Sequence, residues 1–560
     1  MQTDAGDVDA VVGRDPVGEL TGEPPVATSR TRAPRVVPVV ASVAALAALT
    51  VLLYATSVHA VPGNSDGSTV ILEGQALAHG HVTLHHWFLS LDSFWGVDAL
   101  LYAVGVAVMG VRPELLNLVP GFIAACLVVL GMWLARDRRG GVAGAAGALT
   151  VLALLAFPSH ALATFYLQGP LHVGTALWCM LAFAFLCTGY SRLRWTAAVL
   201  LLAAGSVGDL QTIAFGVLPL GLAGVLAAFR TRRWREGAPG VTAAVASVVL
   251  ALVGRELAKV VGTFVVNKSN PTAGLREMVT NVKLAITYGD KLLGLGSTGF
   301  GTGGTPSALL AVHVLGVLGL AAGVVAGLVA VVRAVVRGPR GEGPAGADRA
   351  PRSEPWRLDD ALLLAFLGDI AVFVILTPAA VAPYARYLTA AIVFGAVLTG
   401  RYASRAVARL HGRVAPRAAL AAGAAATACF AAGVGFDLAE PAPVQPAAAL
   451  GRYLAANGLR EGVGDYWSAS IVTVESRDEV HVRPVTAPFG HVVVYTRNSS
   501  SQWYTGHTFQ FLVYNPLLPF GNVDSTTAAA TFGKPARVVS VAGYVVLEWA
   551  HRITITGASS

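Results

Sequence analysis

The sequence carries little charge. Only 13% of its 560 residues are Asp, Glu, Lys or Arg, whereas 54% are hydrophobic. Soluble domains carry about 25% charged residues, so this composition argues against a soluble protein and predicts an integral membrane protein. Lys and Arg outnumber Asp and Glu by 40 to 32, but the arginines lie in short clusters between apolar runs. Such clusters report membrane orientation, and they argue against nucleic-acid binding.

Cysteine is also scarce. The four cysteines each lie inside an apolar run and form no CxxC pair: Cys126, Cys179, Cys187 and Cys429. The sequence therefore offers neither a zinc motif nor a disulfide framework. The long loops and the C-terminal tail contain no cysteine, which predicts that any exported part folds without disulfides.

Long apolar runs, in contrast, fill most of the first 436 residues. A helix needs ~20 apolar residues to cross ~30 Å of hydrocarbon. This criterion gives about eleven candidate spans: 36–57, 115–135, 141–157, 171–189, 195–207, 210–229, 241–263, 307–332, 359–379, 384–400 and 416–436. Two of them are short, and 195–229 could instead form one long broken helix. Residues 1–33 are polar, which predicts a disordered cytoplasmic tail.

The arginine clusters predict the orientation of these spans. Positively charged loops stay in the cytoplasm, and one topology with the N-terminus inside places five clusters there: 136–139, 191–194, 230–235, 333–352 and 401–413. This topology requires that residues 93–111 do not cross the membrane, so we predict a re-entrant or interfacial segment. The chain is then a multi-pass protein of the cytoplasmic (plasma) membrane with its C-terminal part outside.

The same topology predicts the domains. A transmembrane domain at 34–436 carries outer loops at 58–114 and 264–306 and a cytoplasmic loop at 333–358, and a soluble extracytoplasmic domain follows at 437–560. In the last domain the runs IVTV, HVVVYT and VVSVAGYVVLEW are typical of strands. Its opening, PAAALGRYLAANGL, is typical of a helix. We therefore predict a small α+β or β-rich module.

Polar and titratable residues collect at the predicted outer ends of the spans. Ionisable groups near membrane depth are costly and usually indicate function. A carboxylate can take a proton from an attacking hydroxyl while Arg and Lys stabilise a phosphate leaving group. The set therefore predicts sugar transfer from a lipid phosphate, with an apolar cleft for the lipid tail. Its members are Asp66, His160, Tyr166, Gln168, His172, Asp209, Gln211, Arg255, Glu256, Lys259, Tyr384, Arg386 and Tyr387.

Structural roles remain open for several of these residues. Glu256 could simply pair with Arg255 or with Lys259, which lies three positions later on a helix. His160 and His172 could cap helices or hydrogen-bond a loop. Arg386 could extend its charge to the membrane surface while its stem stays in the apolar layer.

Four histidines follow Asp66 closely: His79, His81, His85 and His86. They suggest a metal site, but HxH and HH spacings in a loop without cysteine are weak metal signatures. We therefore predict no metal ligand here and interpret His85 and His86 as substrate contacts.

The region around the first predicted outer loop resembles a known family. An Asp shortly after the first span is followed by GQALAHGH, an aromatic stretch and GVRPELLNLVPGFIAACLVVLGMWLARDRRG. This order is similar to the polyprenyl-phosphate-dependent glycosyltransferases of the GT-C fold, which include protein mannosyltransferases, arabinofuranosyltransferases and lipid A aminoarabinose transferase. The resemblance is specific over residues 60–140. ARYL at 385–388 resembles a late Arg-Tyr-Leu element of several members, and the opening of the tail resembles actinobacterial relatives.

The resemblance implies a fold and a catalytic base. The fold is a polytopic α-helical membrane protein of the GT-C type, with about eleven transmembrane helices, interfacial helices in the first outer loop and a small α+β extracytoplasmic C-terminal domain. The base is Asp66. Many members show an acidic pair at this position, whereas Gly67 follows Asp66 here. Asp209 is the candidate for the second carboxylate.

The implied reaction is an inverting transfer. Asp66 deprotonates an acceptor hydroxyl, which attacks a polyprenyl-phosphate sugar, and the acceptor is a cell-envelope glycan, lipid or protein. The candidate substrate-binding residues are His160, Gln168, His172, Arg255, Lys259, Tyr384, Arg386, His85 and His86. No cofactor is certain, although some related folds use a divalent cation such as Mg²⁺, Mn²⁺ or Ca²⁺.

Two other classes of protein remain as alternatives. A lipid or glycan transporter or flippase often shows internal repeats and broken helices near the membrane midplane, but this sequence shows no repeat. A non-enzymatic cell-envelope scaffold would need far fewer than eleven spans. An outer cavity open to both lipid and exterior would distinguish a transferase from a transporter.

Overall fold

The computed structural model describes residues 36–187, 189–266, 272–295, 307–336, 358–376, 382–412 and 414–555. The predicted disordered tail at 1–33 and most of the predicted cytoplasmic loop at 333–358 lie outside this part of the chain. The chain divides into two units, Met1–Ala45 and Leu46–Ser560. The described part of the first unit is the beginning of one apolar helix, and the features below belong to the second unit.

Helices dominate the described residues before position 440. They are α1 (Val36–Ala60), α2 (Ser65–Ala78), α3 (Asp98–Met109), α4 (Leu115–Ala135), α5 (Gly141–Leu155), α6 (His160–Tyr166), α7 (Val173–Cys187), α8 (Arg192–Gly208), α9 (Leu218–Thr231), α10 (Trp234–Val261), α11 (Leu275–Leu292), α12 (Ser307–Val336), α13 (Leu358–Ile375), α14 (Thr389–Arg409) and α15 (Val414–Ala439). A π-helical turn, Ile213–Val217, precedes α9, and a 3₁₀ segment, Ala382–Leu388, precedes α14.

A helix lies in each interval that was predicted to span the membrane. Six of the described helices are long and apolar enough to cross it, or seven if the pair α5 and α6, bent by 86°, counts as one span. The predicted number of eleven is therefore not confirmed. Two other helices do not meet the requirements of length and apolar composition for a span. The helix α7 has 15 residues and is only ~22 Å long, and α13 contains the three charged residues Asp359, Asp360 and Asp369. The chain is nevertheless a multi-pass helical membrane protein.

The segment predicted not to cross the membrane forms α3. This helix has 12 residues, so it is ~18 Å long and too short for ~30 Å of hydrocarbon. It packs closely against α2, because a Cβ atom at Gly74 would lie only 2.8 Å from the backbone of Tyr102. Which side of the membrane these helices occupy remains a prediction.

Three of the arginine clusters meet at one end of the helices. Arg401 and Arg405 both bond Asp137, at 2.6 Å and 2.7 Å, and both also bond Asp359 at the start of α13. The next residue, Asp360, pairs with Arg230. Clusters that were predicted to share one side of the membrane are thus joined by buried ion pairs.

Residues 65–78, at the start of the first predicted outer loop, form the helix α2. Asn64 caps it, because its side chain accepts a hydrogen bond from the backbone N–H of Gly67 at 3.0 Å, which satisfies one free donor of the first turn. Gly67 also lies against the backbone of the segment before α7: a Cβ atom at Gly67 would be 2.8 Å from the carbonyl oxygen of Gly169. Any second acidic side chain after Asp66 would therefore clash.

Strands occur mainly in the C-terminal region. In chain order they are β1 (Trp87–Leu89), β2 (Val265–Val266), β3 (Glu461–Asp465), β4 (His481–Thr486), β5 (Val493–Val494), β6 (Ser499–Ser500), β7 (Phe509–Tyr514), β8 (Arg537–Val541) and β9 (Tyr544–Ile553). Six of them form one mixed sheet in the order β5-β4-β3-β7-β9-β8, in which β3 runs parallel to β4 and β7. We call residues 446–555, which contain this sheet, the C-terminal module.

Three helices accompany this sheet: α16 (Pro446–Ala456), α17 (Tyr466–Glu475) and α18 (Ser525–Phe532). The predicted helix at the start of the module is α16, and VVSVAGYVVLEW is the hairpin β8–β9. The prediction of a strand at IVTV is wrong, because residues 471–474 lie in α17. Asp465 caps that helix by accepting from the N–H groups of Trp467 and Ser468, and Ile471, Val472 and Val474 are buried. The run IVTV is apolar because it lies on a buried helix and not because it forms a strand.

A second, small sheet joins distant parts of the chain. Its order is β2-β1-β6, so β1 from the first predicted outer loop pairs with β2 from the second and with β6 from the C-terminal module. The module also contacts α2 directly, since Thr69 donates to Ser470 at 2.9 Å and Gln75 donates to Asp478 at 2.9 Å. These contacts place the module over the end of α2 that carries Asp66.

Candidate active site

A polar cavity of about 320 Å³ lies beside the first turns of α2. Five parts of the chain enclose it: α2, the segment between β1 and α3, the segment before α7, Leu376 directly after α13 and the 3₁₀ segment before α14. The C-terminal module adds two residues. Its lining consists of Asp66, Thr69, Val70, Glu73, Ser90, Leu91, Asp92, Ser93, Phe94, Pro170, Leu171, His172, Leu376, Tyr384, Arg386, Tyr387, Arg497 and Asn498. We call it the catalytic cavity.

Asp66 is held at this cavity by the C-terminal module. The hydroxyl of Tyr466 donates a hydrogen bond to Asp66 Oδ1. The same hydroxyl oxygen accepts from Asn498 Nδ2 at 2.9 Å, so its proton is directed to the carboxylate. Burial, followed by the charge of Asp66, raises the pKa of Tyr466, which keeps the phenol a neutral donor. The arrangement fixes one oxygen of Asp66.

Asn498 is itself held in place by the first predicted outer loop. Its Oδ1 accepts from the backbone N–H of Ser90 at 3.1 Å, next to the pairing of β1 with β6. Its backbone has φ of +49°, in the left-handed region that Asn enters more readily than most residues. This turn brings Asn498 back toward Tyr466.

Two arginines bring positive charge to the same cavity. Arg386 is stacked over the ring of Tyr387 at 5.1 Å and donates to its hydroxyl at 3.3 Å. The buried Nε of Arg386 has no hydrogen-bond partner within the described residues. Arg497, from the C-terminal module, is exposed to solvent. A phosphate group in the cavity would meet both guanidinium groups, and phosphate is a preferred ligand of arginine.

Two further carboxyl groups face the cavity. Burial, and then the charge of Asp209, raises the pKa of Asp92 to about 6. Glu73 is 2% exposed, and its Oε2 has no hydrogen-bond partner in the described part of the chain. Burial raises the pKa of Glu73 well above its usual value. The cavity thus combines a partly exposed carboxyl group, Asp66, with two carboxyl groups whose pKa values are raised by burial.

His172 is fixed by a buried hydrogen-bond network. Its Nδ1 lies 2.7 Å from Asp209 Oδ2, and its Nε2 lies 2.9 Å from the side-chain nitrogen of Gln211. Asp209 also accepts from Thr175 at 2.6 Å. The imidazole stacks on Tyr387 with 5.1 Å between ring centroids. Asp209 therefore lies behind His172, fully buried, and does not line the cavity.

A larger cavity of about 850 Å³ adjoins the catalytic cavity, with which it shares Leu91. It is mainly apolar, and we call it the apolar groove. It runs along the C-terminal end of α10, from Leu252 to Lys259. Its lining comprises His85, His86, Trp87, Phe88, Leu91, Val207, Leu252, Arg255, Glu256, Ala258, Lys259, Gly262, Thr263, Phe264, Val265, Val266 and Ser501.

The structure separates the predicted site residues into three sets. Asp66, His172, Tyr384 and Arg386 line the catalytic cavity. The second set lines the apolar groove: His85, His86, Arg255 and Lys259. The third set lines neither: Asp209 is buried, His160 lies 3.7 Å from Asp437, and Gln168 lines a crevice beside Gly67.

One of the two ion pairs considered for Glu256 on α10 is present. Lys259 pairs with Glu256 at 2.6 Å, although both side chains are about 70% exposed. Arg255 instead donates to the backbone carbonyl of Ser206 at 2.9 Å. Such an exposed pair contributes little to stability, so Lys259 can leave it for a ligand at little cost.

Two of the four histidines after α2 are bonded to backbone carbonyl groups. Within the described residues, no three His, Cys, Asp or Glu side chains come together in a way that could hold a metal ion. His79 Nδ1 bonds the carbonyl of Gln75 at 2.7 Å, and His85 Nδ1 bonds that of Gly262.

Sequence reasoning missed Tyr466, which bonds Asp66, and also Asn498, Arg497, Asp92 and Glu73, which line the cavity. The first three lie about 400 residues from Asp66, and no local pattern connects them to it. Glu73 had a signal, because it follows Asp66 by seven residues and so shares its face of a helix. That signal was hidden because the segment was interpreted as a loop.

The fold is similar to that of a solved structure, ArnT from Cupriavidus metallidurans. With its apo form the TM-score is 0.56 at 14% sequence identity, over 91% of this chain and 98% of that chain. With the form bound to undecaprenyl phosphate the TM-score is 0.52 at 15% identity, over 92% and 98%. No protein-family model matches the chain, and no curated protein matches it in sequence. This likeness confirms the predicted fold class, a helical membrane fold of the GT-C type with a small α+β module.

Proposed function

We propose that this protein is a membrane glycosyltransferase that moves a sugar from a polyprenyl-phosphate donor to a hydroxyl group of a cell-envelope glycan, lipid or protein. The observation that supports the proposal most is the meeting of Asp66, Arg386 and Arg497 around one cavity. A carboxylate base and a site for a phosphate leaving group then lie together. The similar fold of ArnT, which has been crystallised with undecaprenyl phosphate, supports a lipid-phosphate donor.

Asp66 acts as the general base in this proposal. Its carboxylate takes the proton of the acceptor hydroxyl, and the hydroxyl oxygen forms a bond to the anomeric carbon. The bond from that carbon to the phosphate oxygen breaks, and the electron pair leaves with the polyprenyl phosphate. Arg386 and Arg497 stabilise this leaving group. A single displacement inverts the anomeric configuration, and the products are the new glycoside, polyprenyl phosphate and protonated Asp66.

The other candidate residues take supporting roles. Asp209 orients His172 through a hydrogen bond. His172 stacks on Tyr387, and the guanidinium of Arg386 lies over the ring of Tyr387. We assign Asp209 as a positioning residue and not as a second base, because three hydrogen bonds already hold it away from the cavity.

The apolar groove is the proposed site of the polyprenyl chain. It shares the lining residue Leu91 with the catalytic cavity, so the two lie side by side, and in this proposal the lipid tail occupies the groove while the phosphate occupies the cavity. Arg255 and Lys259 lie along it with His85 and His86. An exposed lysine is well placed to follow the lipid phosphate as it moves from the groove to Arg386.

The finer predictions remain part of the proposal. They are transfer on the outer face of the plasma membrane, a mannosyl- or arabinosyl-type specificity, a role in cell-wall biogenesis and an actinobacterial-type membership. A transporter or flippase remains the alternative, although no observation favours it.

The test uses membranes that contain the protein and a panel of radiolabelled polyprenyl-phosphate sugars. We expect the wild-type protein to transfer label from at least one donor and Asp66→Asn to lose the transfer while it is expressed and folded normally. Arg552→Gln is the matched control, because this exposed arginine lies on the module outside both cavities. Near-normal transfer by Asp66→Asn would remove Asp66 from the catalytic role. Absence of transfer from every donor would contradict the proposed function.

A further inference from the structure

A third cavity, of about 320 Å³, lies between the end of α2 and the C-terminal module. We call it the histidine-lined cavity. It is distinct from the catalytic cavity, with which it shares no residue, but it shares His85, His86 and Trp87 with the apolar groove. Its other lining residues are Leu72, Gln75, Ala76, His79, His81, Thr83, Arg483, Ser500, Gln502 and Trp503. The function proposed above uses none of the module residues in this set.

Arg483 is the permanent charge of this cavity. Its guanidinium lies over the ring of Trp503 at 4.6 Å and forms no hydrogen bond or ion pair with another side chain in the described ranges. The neighbouring carboxylates are already engaged: Asp478 accepts from Gln75 at 2.9 Å, and Glu461 lies 2.9 Å from His481. Arg483 is partly exposed, and an arginine has five N–H donors, so its guanidinium can donate to an anion that enters the cavity.

Two of the four imidazoles around the cavity are hydrogen-bonded within the protein, and two are available to a ligand. His79 and His85 each bond a backbone carbonyl. The rings of His81 and His86 form no hydrogen bond within the described residues. The amide of exposed Gln502 is likewise without a partner among them. Three open polar groups therefore face the same space as Arg483.

Two tryptophans supply a firm apolar wall. Trp87 and Trp503 meet edge to face, with 5.0 Å between their ring centroids, and Trp87 is buried. Small-molecule sites typically combine such aromatic walls with a few polar groups in cavities of ~300–1,000 Å³. At about 320 Å³, this cavity suits one small ring and not a long lipid.

We propose that the histidine-lined cavity binds an acidic sugar unit, with a carboxylate or phosphate group on Arg483 and the ring against Trp503. Sugar hydroxyls bond His81, His86 and Gln502. Both acidic groups are planar or tetrahedral anions that match the arginine fork. In the context of the proposed function, on which this step rests, the unit belongs to the acceptor glycan.

The test is a binding titration on the full-length protein in lipid nanodiscs, followed by ligand-observed NMR. The probes are glucuronic acid, glucose 6-phosphate and neutral glucose. We expect both acidic sugars to bind at least tenfold more tightly than glucose, and their relative affinity identifies the preferred anion. Equal binding of glucose and the acidic sugars by the wild-type protein would overturn the proposal, and this comparison needs no variant.

Variants locate the site. Arg483→Gln is expected to weaken binding of the acidic sugar by about 10- to 100-fold, as expected for loss of a charge-assisted pair, and Gln502→Ala is expected to weaken it by less. Arg552→Gln is expected to bind normally. If folded Arg483→Gln binds acidic sugars as well as the wild type does, the assignment is wrong.

The closing comparison separates this inference from the proposed function. Asp66→Asn is expected to bind the acidic sugars normally, because the catalytic cavity and the histidine-lined cavity share no residue. Binding without any sugar transfer by the wild-type protein would leave the anion site intact and contradict only the glycosyltransferase. Transfer without selective binding of acidic sugars would contradict only the acidic acceptor.

Discussion

Replacement of Tyr466 by Phe tests whether the C-terminal module takes part in catalysis. The substitution removes one oxygen atom and keeps the ring in its cluster with Trp467, Tyr495 and Phe520. The lost interaction is a hydrogen bond to a carboxylate, which is worth about 1.5–3 kcal/mol. Since ~1.36 kcal/mol corresponds to a tenfold change in rate, we expect kcat to fall by about 10- to 150-fold. The KM for the donor should change little, because Tyr466 is not a lining residue of either proposed donor cavity.

The matched control is Tyr495→Phe. Tyr495 lies in the same cluster, with its ring centroid 5.2 Å from that of Tyr466, but its hydroxyl makes no hydrogen bond to Asp66. We expect this variant to retain nearly the wild-type rate. Initial rates with the best donor from the panel, measured at saturating acceptor in nanodiscs, give kcat and KM separately.

A double variant distinguishes positioning from general damage. If Tyr466 acts only through Asp66, then Tyr466→Phe adds no further loss to the residual single-turnover rate of Asp66→Asn, because residues that act as a unit are not additive. Independent, multiplied losses would refute the reasoning. So would a wild-type kcat in Tyr466→Phe, or an equal loss in Tyr495→Phe.

Three further predictions follow from other parts of the structure. The pKa of Asp92 is raised to about 6 by burial and by a neighbouring negative charge, so Asp92 loses its charge below that pH. The donor KM should therefore fall between pH 7 and pH 5 as repulsion of the phosphate weakens. Donor titrations of Asp92→Asn should show a low KM that varies less with pH than that of the wild type, and an unchanged pH dependence would contradict this role of Asp92. Arg401→Ala strips Asp137 of one buried partner and should cost about 3–5 kcal/mol of stability, seen as a lower Tm in detergent than for Arg409→Ala; an unchanged Tm would exclude the cluster as a stabilising element. Gly67→Ala forces a Cβ atom to within 2.8 Å of a backbone oxygen and should cost about 1–3 kcal/mol, and a normal Tm in this variant would show that the backbone can move.

Much of the helical part could be predicted because the physical signal is local. Apolar runs of sufficient length lie in the sequence itself, and the helix α4, Leu115–Ala135, has the predicted bounds. The end of α14 was harder to predict from the sequence, because the helix continues through Arg401 and Arg405. These two arginines form ion pairs with Asp137 and Asp359, which come from other parts of the chain. Pairing between distant residues removes the charge penalty that would otherwise end a buried segment.

The candidate site could be predicted only where chemistry and position coincide in one segment. Asp66 follows the first apolar run directly, so its place was accessible to sequence reasoning. The residues that orient and neutralise the site come from the other end of the chain, and neither Tyr466 nor Asn498 lies in a pattern that indicates chemistry. They come close to Asp66 because β1 pairs with β6, and no local pattern in the sequence predicts this pairing.

The C-terminal module is therefore best understood as a wall of the candidate active site and not as a separate binding domain. If it were only tethered, its contacts with the helical part would be few and exposed, as in transient interfaces. Instead, the buried hydroxyls of Thr69 and Ser470 bond each other, and Asn498 connects Ser90 to Tyr466 in one continuous chain of hydrogen bonds. A carboxylate held in this way has its geometry set before substrate binds, which is the condition under which the proposed base would contribute most to the rate.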